Sequence, residues 1–424
     1  MKPQINPPYA AYIGIDWADQ KHDICLQASY TDSQEYSILA HRPDTIEAWA
    51  LSLKERFHSQ PVAVCLELTK GPLVYALQKY DFLVLFPANP VTLAKYRQAF
   101  TPSNAKDDPS DARLLLELLL QHGDKLKPLQ PESVEMRTLQ CLVEQRRGLV
   151  DDQVRVTNQL GYALKQYYPQ VLEWFKEKDT LVFCDFVSRW PTLKQARLAR
   201  KATLETFFHE HNVRYPKVIA ARIAAIKAAT PLTNDVSVIL PHQLLVQALA
   251  QQMRAMLLAI ARFDEQVALF AKSLPDYALF QALPGAGPVF APRLLAAFGE
   301  RRERYQSAAE IQKYAGIAPV TERSGKKCWV HWRLQCPKFL RQTFVEWAAE
   351  TIPRSYWAGA YYRQQREKGC SHQVAVRALA FKWIRILYRC WQNHTPYDEA
   401  AYLNSLRRRG SSLLDSAGLG VKMT

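Results

Sequence analysis

The stretch "YIGIDWADQKHDICL", residues 12–26, decides how this chain is read. Tyr12, Ile13 and Ile15, then Ile24, Cys25 and Leu26, give two short apolar runs joined by a polar turn, which predicts a β-hairpin. Asp16 closes the first run. A carboxylate at the end of a strand that leads into a core must be solvated, paired or bound to a cation. Which of the three holds sets the chemistry of the whole region.

With 424 residues and 48% hydrophobic content, the chain can bury a sizeable core and divides into two or three domains. Its 55 Lys and Arg against 40 Asp and Glu give a net charge of +15, which points to a polyanionic partner, nucleic acid first. No run of about 18 uninterrupted apolar residues occurs, and "MKPQINPPYA" lacks the apolar core of a secretory signal. A cytosolic protein without a membrane partner is expected. The eight cysteines are scattered with no CxxC pair, so neither a zinc site nor a disulfide framework is indicated and the thiols are expected to be reduced.

Up to about residue 123 the pattern alternates strands and helices. "VAVCLEL" (62–68) and "FLVLF" (82–86) read as buried strands with a helix, "PLVYALQKY", between them. Glu67 repeats the anomaly of Asp16, because it too ends an apolar strand. In "KDDPSDARLLLELLLQHG", Asp108 and Asp111 open a helix that ends near Gly123. Asp108 as N-cap, Pro109 at the first helical position and Asp111 in the first turn all suit a helix start. The spacing of three also puts both carboxylates on one helix face, where they could converge on a cation.

From 132 to 273 the chain reads as helical. Val246, Leu249, Met253, Met256, Ile260, Phe263, Val267 and Phe270 alternate steps of three and four, the seam of a coiled coil. Leu142, Leu149, Val156 and Ala163 recur every seven residues on an earlier helix. The two could pair as a long hairpin or zip to another subunit. Between them lies a basic insert, 191–230, with Lys194, Arg197, Arg200 and Lys201 followed by Arg214, Lys217, Arg222 and Lys227. It suits either a solvated helix face or a surface that contacts a nucleic-acid backbone. His209 and His211, without a third ligand, read as surface residues.

The last region opens with "ALPGAGPVFAPRLLAAFG", 282–299. Pro284, Gly285 and Gly287 make a tight turn ahead of an apolar helix. Such a turn is either a helix-hairpin-helix element whose N–H groups hold a phosphate or a plain connection. "YAGIAPVTERSGKKCWVHWRLQCPKFLRQTF" then interleaves Arg323, Lys326, Lys327 and Arg333 with Trp329 and Trp332, a mixture that suits a nucleic-acid surface. Residues 354–391 read as helical, with Trp357, Trp383 and Trp391 among the packing residues.

Asp16, Glu67, Asp108 and Asp111 are together what a magnesium-dependent phosphoryl-transfer site requires, since Mg²⁺ prefers oxygen ligands. The blocks "YIGIDWADQKHDICL", "CLELTKGPLVYAL", "KDDPSDARLL", "LPGAGPVFAPRLLAAFG" and "YAGIAPVTERSG", in this order, resemble the DEDD-type insertion-sequence transposases, the bridge-RNA-guided recombinases. The resemblance covers roughly 11–123 and 278–392. It implies an α/β RNase H/RuvC-like domain (1–131) whose metal-binding acids fall on Asp16, Glu67, Asp108 and Asp111. A helical coiled-coil region (132–273), a mainly helical transposase domain (274–400) and a flexible tail (401–424) follow. The nucleophilic serine of the family falls on Ser324, before Gly325. Asp107 stands where the family commonly has Thr or Ser. The resemblance further implies Mg²⁺ or Mn²⁺, donor and target double-stranded DNA, a structured guide RNA held largely by the first domain, and a dimer or tetramer in which the two halves of a site come from different subunits. Two other readings of the residues stand beside it: a junction-resolving endonuclease that uses metal-activated water, and a nucleic-acid-binding protein with an inactive site.

Overall fold

The computed structural model describes residues 8–100, 108–411 and 413, with the backbone alone at 100 and 108–110. Asp107 and half of the expected tail lie outside the described residues. The chain forms two compact units, Met1–Pro131 and Glu132–Thr424.

The first unit runs Ala11–Asp16 (β1), Lys21–Ala28 (β2), Gln34–Ala40 (β3), Pro43–Arg56 (α1), Val62–Leu66 (β4), Pro72–Leu77 (α2), Leu83–Pro87 (β5), Pro90–Phe100 (α3) and Asp108–His122 (α4). Its sheet has the order β3-β2-β1-β4-β5. The expected hairpin is present, with Ile13 opposite Leu26 and Asp16 opposite Asp23, while β4 and β5 run parallel to β1. The edge strand β3 escaped the sequence reading because it lacks an inward apolar face: Tyr36 and Ile38 are exposed.

Strand alternation sorts the central strands onto two faces. Ile13, Ile15, Val62, Val64 and Leu66 pack with Ile46 and Leu53 of α1 and Leu73, Val74 and Leu77 of α2. On the other face Ala63 and Cys65 meet Leu114, Leu115 and Leu118 of α4. Burial on both sides is why β1 and β4 read as nearly continuous apolar runs. Gly14 lies on the α4 face, and a Cβ there would meet the backbone of α4 at Ala112 O and, at 2.5 Å, Leu116 N. Only a residue without a side chain allows the helix to cross the strand this closely.

The second unit contains Val134–Tyr167 (α5), Gln170–Trp174 (α6), Leu181–Arg189 (α7), Leu193–Leu198 (α8), Lys201–Glu210 (α9), Pro216–Ala228 (α10), Val236–Ser273 (α11), Tyr277–Gln281 (α12), Gly287–Phe298 (α13), Ala308–Tyr314 (α14), Val320–Ser324 (β6), Lys327–His331 (β7), Lys338–Thr351 (α15), Tyr356–Glu367 (α16), His372–Gln392 (α17) and Glu399–Arg408 (α18). The long helices α5 and α11 lie antiparallel. Met136, Leu139 and Val143 share a core with Val267 and Ala271, and Val156, Leu160 and Leu164 share another with Val246, Leu249 and Met253. Arg146 and Asp264 pair across them at 2.5 Å.

The ladder read as a coiled-coil seam is therefore an intrachain core face. Steps of three and four also serve a helix that buries one stripe in a globular core, and α11 packs on α7, α12 and α13 as well as α5. By composition α11 is long and apolar enough to cross a membrane, but Val246, Leu249, Met253, Met256 and Val267 of its ladder lie in these cores. The first core cluster joins Met136 of α5 to Trp391 of α17, so regions 132–273 and 274–400 share one unit. Residues 401–408, expected to begin a flexible tail, belong to α18. Asp398 caps that helix by accepting from the Ala401 N–H at 3.0 Å, and Tyr402 packs on Trp357.

Candidate functional site

The acids of the first unit gather at one end of the sheet. The last β1–β4 pair is Ile15 with Leu66, so Asp16 and Glu67 stand at the same level at the C-terminal ends of adjacent parallel strands, where open α/β sheets bind their ligands. Alternation places both on the face that carries Gly14 and Cys65, toward α4. Both are half-buried. Burial, with the Glu67 carboxylate adding to it, pushes the Cys65 thiol up to about 12, which keeps this cysteine inert.

Asp111 lies in the first turn of α4, one residue before Ala112, which crosses Gly14. It is 3% exposed and faces Arg97 of α3, with Nη2 2.5 Å from its Oδ1. A buried carboxylate so close to a guanidinium is electrostatically answered. Asp108 begins α4, and its side chain lies outside the described residues. Among the described residues no three His, Cys, Asp or Glu side chains converge closely enough to hold a metal ion. The available donor set, carboxylate oxygens with no sulfur, is the kind that Mg²⁺ or Mn²⁺ accepts.

Sequence reasoning passed over Arg97 and a histidine pair beside the β1–β2 turn. His22 is fully buried. Its Nδ1 accepts from the Ala18 N–H at 3.3 Å and its Nε2 lies 2.9 Å from His41 Nδ1, while Trp17 stacks on the ring. Burial, and then the neighbouring His41, pull His22 down to about 4. The neutral ring thus fixes the turn that follows Asp16. The signal was present in "KHDICL", where His22, Ile24 and Leu26 alternate onto one face.

Ser324 lies at the tip of a separate element in the second unit. It ends β6 opposite Lys327 of β7, with Gly325 and Lys326 as a two-residue turn. Gly325 has φ +56°, the positive value that primed hairpin turns require at their first central position. Apart from half-buried Val320, the residues of both strands are exposed. The Ser324 hydroxyl has no hydrogen-bond partner among the described residues. Cross-strand pairing puts Ser324, Lys327, Glu322 and Trp329 on one face and Arg323 with Cys328 on the other. Lys327 therefore shares the face of the serine and Arg323 does not. His331 is exposed, with its Nε2 3.5 Å from Glu322.

The turn at 284–287 is tied down on one side. Gly285 (φ +70°) comes so close to α15 that a Cβ would lie 3.0 Å from Glu350 O, while Trp347 Nε1 donates to Pro284 O at 3.0 Å. Gly287 is exposed with open space around it. In the basic insert Lys194, Arg197, Arg200 and Lys201 are exposed, and Lys201 reaches Glu205 at 3.7 Å. Arg222 instead lies over Phe175 and Phe208, and Lys227 donates to two carbonyls. His209 is exposed, whereas His211 is structural, with Nε2 2.9 Å from Asp185.

A family model described as Transposase, of DEDD type, matches residues 13–169, and one described as Transposase IS116/IS110/IS902 family matches 277–363. The first encloses all four acids and the second encloses Gly285, Gly287 and the β6–β7 arm. The chain is 28% identical over 405 residues to the mini-circle putative transposase for IS117 of Streptomyces coelicolor, which covers 92% of this chain and 95% of that protein. It is 26% identical over 288 residues to an insertion element IS116 uncharacterized 44.8 kDa protein of Streptomyces clavuligerus, covering 67% and 70%. With an IS900 uncharacterized 42 kDa protein of Mycobacterium paratuberculosis it shares 24% identity over 307 residues, covering 70% and 73%.

Proposed function

Because the chain belongs to the IS116/IS110/IS902 family of DEDD-type transposases, we propose that it cuts and rejoins DNA through Ser324, with a cation held by Asp16, Glu67, Asp108 and Asp111. The observation that carries this reading is the placement of Asp16 and Glu67 at adjacent parallel strand ends, facing the first turn of α4. The sheet, with an antiparallel meander β1-β2-β3 followed by the parallel strands β4 and β5, supports an RNase H-like first unit.

The serine Oγ attacks a DNA phosphorus. A phosphoserine ester forms as the hydroxyl proton passes to solvent, the bond to the departing sugar oxygen breaks, and that oxygen takes up a proton from solvent. Lys327, on the same face as Ser324, offsets the charge that builds on the phosphate. Mg²⁺ or Mn²⁺, when bound by the four acids, supplies Lewis-acid stabilisation of phosphate oxygens. Arg97 holds Asp111 in place and answers its charge. A structured guide RNA selects the donor and target DNA, and a dimer or tetramer carries out the exchange. The α5–α11 pairing lies within the chain, so contact between subunits must use another surface. The exposed cations Lys194, Arg197, Arg200 and Lys201, together with Arg323, Lys326 and the turn at Gly285–Gly287, form the backbone-contacting surface.

The test is a denaturation-resistant protein–DNA adduct. Ser324→Ala should abolish adduct and strand exchange together while leaving nucleic-acid binding intact. The hydroxyls of Ser307 and Ser371 cap helices and that of Ser355 donates to Glu399, so their alanine variants should keep the adduct. An adduct on the Ser324→Ala protein removes the serine from the reaction. Cleavage by wild type without any adduct favours an endonuclease that uses metal-activated water.

A further inference from the structure

The β6–β7 arm carries two tryptophans on different terms. Trp332, just beyond β7, is capped by Arg377 of α17, whose guanidinium carbon lies 4.1 Å from the ring centroid. The same guanidinium donates to Gly316 O and, at 3.2 Å, to Ile317 O. Arg377 thereby ties the chain that enters the arm to the chain that leaves it. An isolated two-stranded hairpin holds no fixed pose by itself; this clamp at its roots gives the arm one.

Trp329 is 45% exposed, and its ring has no aromatic or cationic partner among the described residues. It shares the Ser324 face, one same-face step of roughly 7 Å along β7 from Lys327. Glu322, the acid on that face, lies 3.5 Å from His331 Nε2. A large exposed indole on a held arm, next to a cation and a nucleophilic hydroxyl, combines a stacking surface with phosphate neutralisation. Nucleic-acid strands are gripped by that combination. Charge complementarity with Lys326 and Lys327 selects a polyanion as occupant, and a flat ring selects its bases.

We propose that Trp329 stacks an unpaired base of the DNA strand being cut and thereby seats the adjoining phosphate on Ser324 and Lys327. The proposal rests on the reading of Ser324 as nucleophile, and the two can fail separately. The probe is a single-stranded oligodeoxynucleotide carrying 2-aminopurine, whose fluorescence falls on stacking, titrated with the full-length protein. Wild type should quench it. Trp329→Ala should lose the quenching and bind roughly tenfold or more weakly, as removal of a stacking platform does, with an unchanged circular dichroism spectrum because the ring is outside the core. Trp329→Phe should restore most of the quenching, and Lys327→Ala should weaken binding while keeping the quenching of bound probe.

Quenching by Trp329→Ala at the wild-type level overturns the proposal. So does a change in the sedimentation of that variant with quenching intact, since the ring would then serve a second copy of the chain. Loss of quenching in Trp329→Ala together with an adduct that survives Ser324→Ala keeps the platform and removes the serine reading. Unchanged quenching together with loss of the adduct does the reverse.

Discussion

The acids at the strand ends of the first unit and the serine arm of the second are held in opposite ways. Asp16, Glu67 and Asp111 are fixed by packing: two strands buried on both faces, a helix pressed onto Gly14, and Arg97 against Asp111. Ser324 sits on a hairpin with almost no core of its own, oriented through Arg377 at its base. A cation site of convergent carboxylates needs preset geometry, because repulsion among the acids would otherwise spread them. A nucleophile that must meet a strand of DNA can sit on an exposed element whose geometry is completed by the substrate. Stability and chemistry should therefore separate: damage near the acids unfolds the unit, and damage on the arm spares the fold.

The largest effect should come from Gly14→Ala. The new methyl group would meet the α4 backbone at Ala112 and Leu116, and helix and strand cannot move apart without opening the core between them. A loss of about 3 kcal/mol or more is expected, read as a lower urea midpoint for the first unit. A variant as stable as wild type would mean that α4 is not seated where the acids need it.

Next is acid lability at His22. Its folded value is about 4 against about 6.5 in an unfolded chain. As pH falls the unfolded chain takes up this proton first, so the stability tied to the neutral ring is whole above about 6.5 and is lost on the way down to about 4. The loss amounts to about 3 kcal/mol at most. Comparing wild type with His22→Gln across this range isolates the effect, since carboxylates common to both cancel. Parallel profiles would show that the buried ring does not resist protonation.

Sequence legibility followed the same division. The acids were readable because a carboxylate in a run such as "VAVCLEL" contradicts its surroundings, and a contradiction in a core needs a cause. The hairpin, the parallel strands and α4 were readable from apolar alternation, whereas β3, with Tyr36 and Ile38 turned outward, gave no such signal. Ser324 was invisible to residue-level reasoning, since a Ser-Gly pair in a basic stretch is ordinary turn chemistry; only the resemblance singled it out. Arg97 and Arg377 were missed for a different reason. Their partners are 14 residues away or more, at Asp111 and at Gly316–Ile317, and no local pattern marks a tertiary ion pair or clamp. The ladder of α11 was readable as an apolar seam, but its period left a hairpin within the chain and a contact between subunits equally open, and the structure shows the hairpin with α5.

A smaller effect is expected from metal. With Mg²⁺ or Mn²⁺ at a hundred times its dissociation constant, wild type should gain about 2.7 kcal/mol, seen as a rise of a few degrees in the melting of the first unit. Asp16→Asn should fold and lose that rise, because one ligand and one charge are gone while the packing of β1 is kept. Equal shifts in both proteins would take the carboxylates out of the cation site.

The smallest change in stability should come from Gly325→Ala, the arm's counterpart of Gly14→Ala. Both replace glycine with alanine, but nothing lies within 4 Å of a Cβ at position 325, so no core is disturbed. The cost is confined to the backbone: φ is +56°, and a side chain in that left-handed region costs about 1 kcal/mol. The two-residue turn can relax because it carries only the arm. Hydrogen exchange should therefore quicken at the β6–β7 amides while the melting temperature of the second unit stays put. Gly325→Asn, whose side chain tolerates the positive φ, should exchange more slowly than the alanine variant. If the arm's pose matters for the reaction, adduct formation should fall in the order Gly, Asn, Ala, with nucleic-acid affinity nearly constant. A drop in global melting equal to that of Gly14→Ala would show that the arm is packed into a core after all, and the contrast between the two regions would collapse.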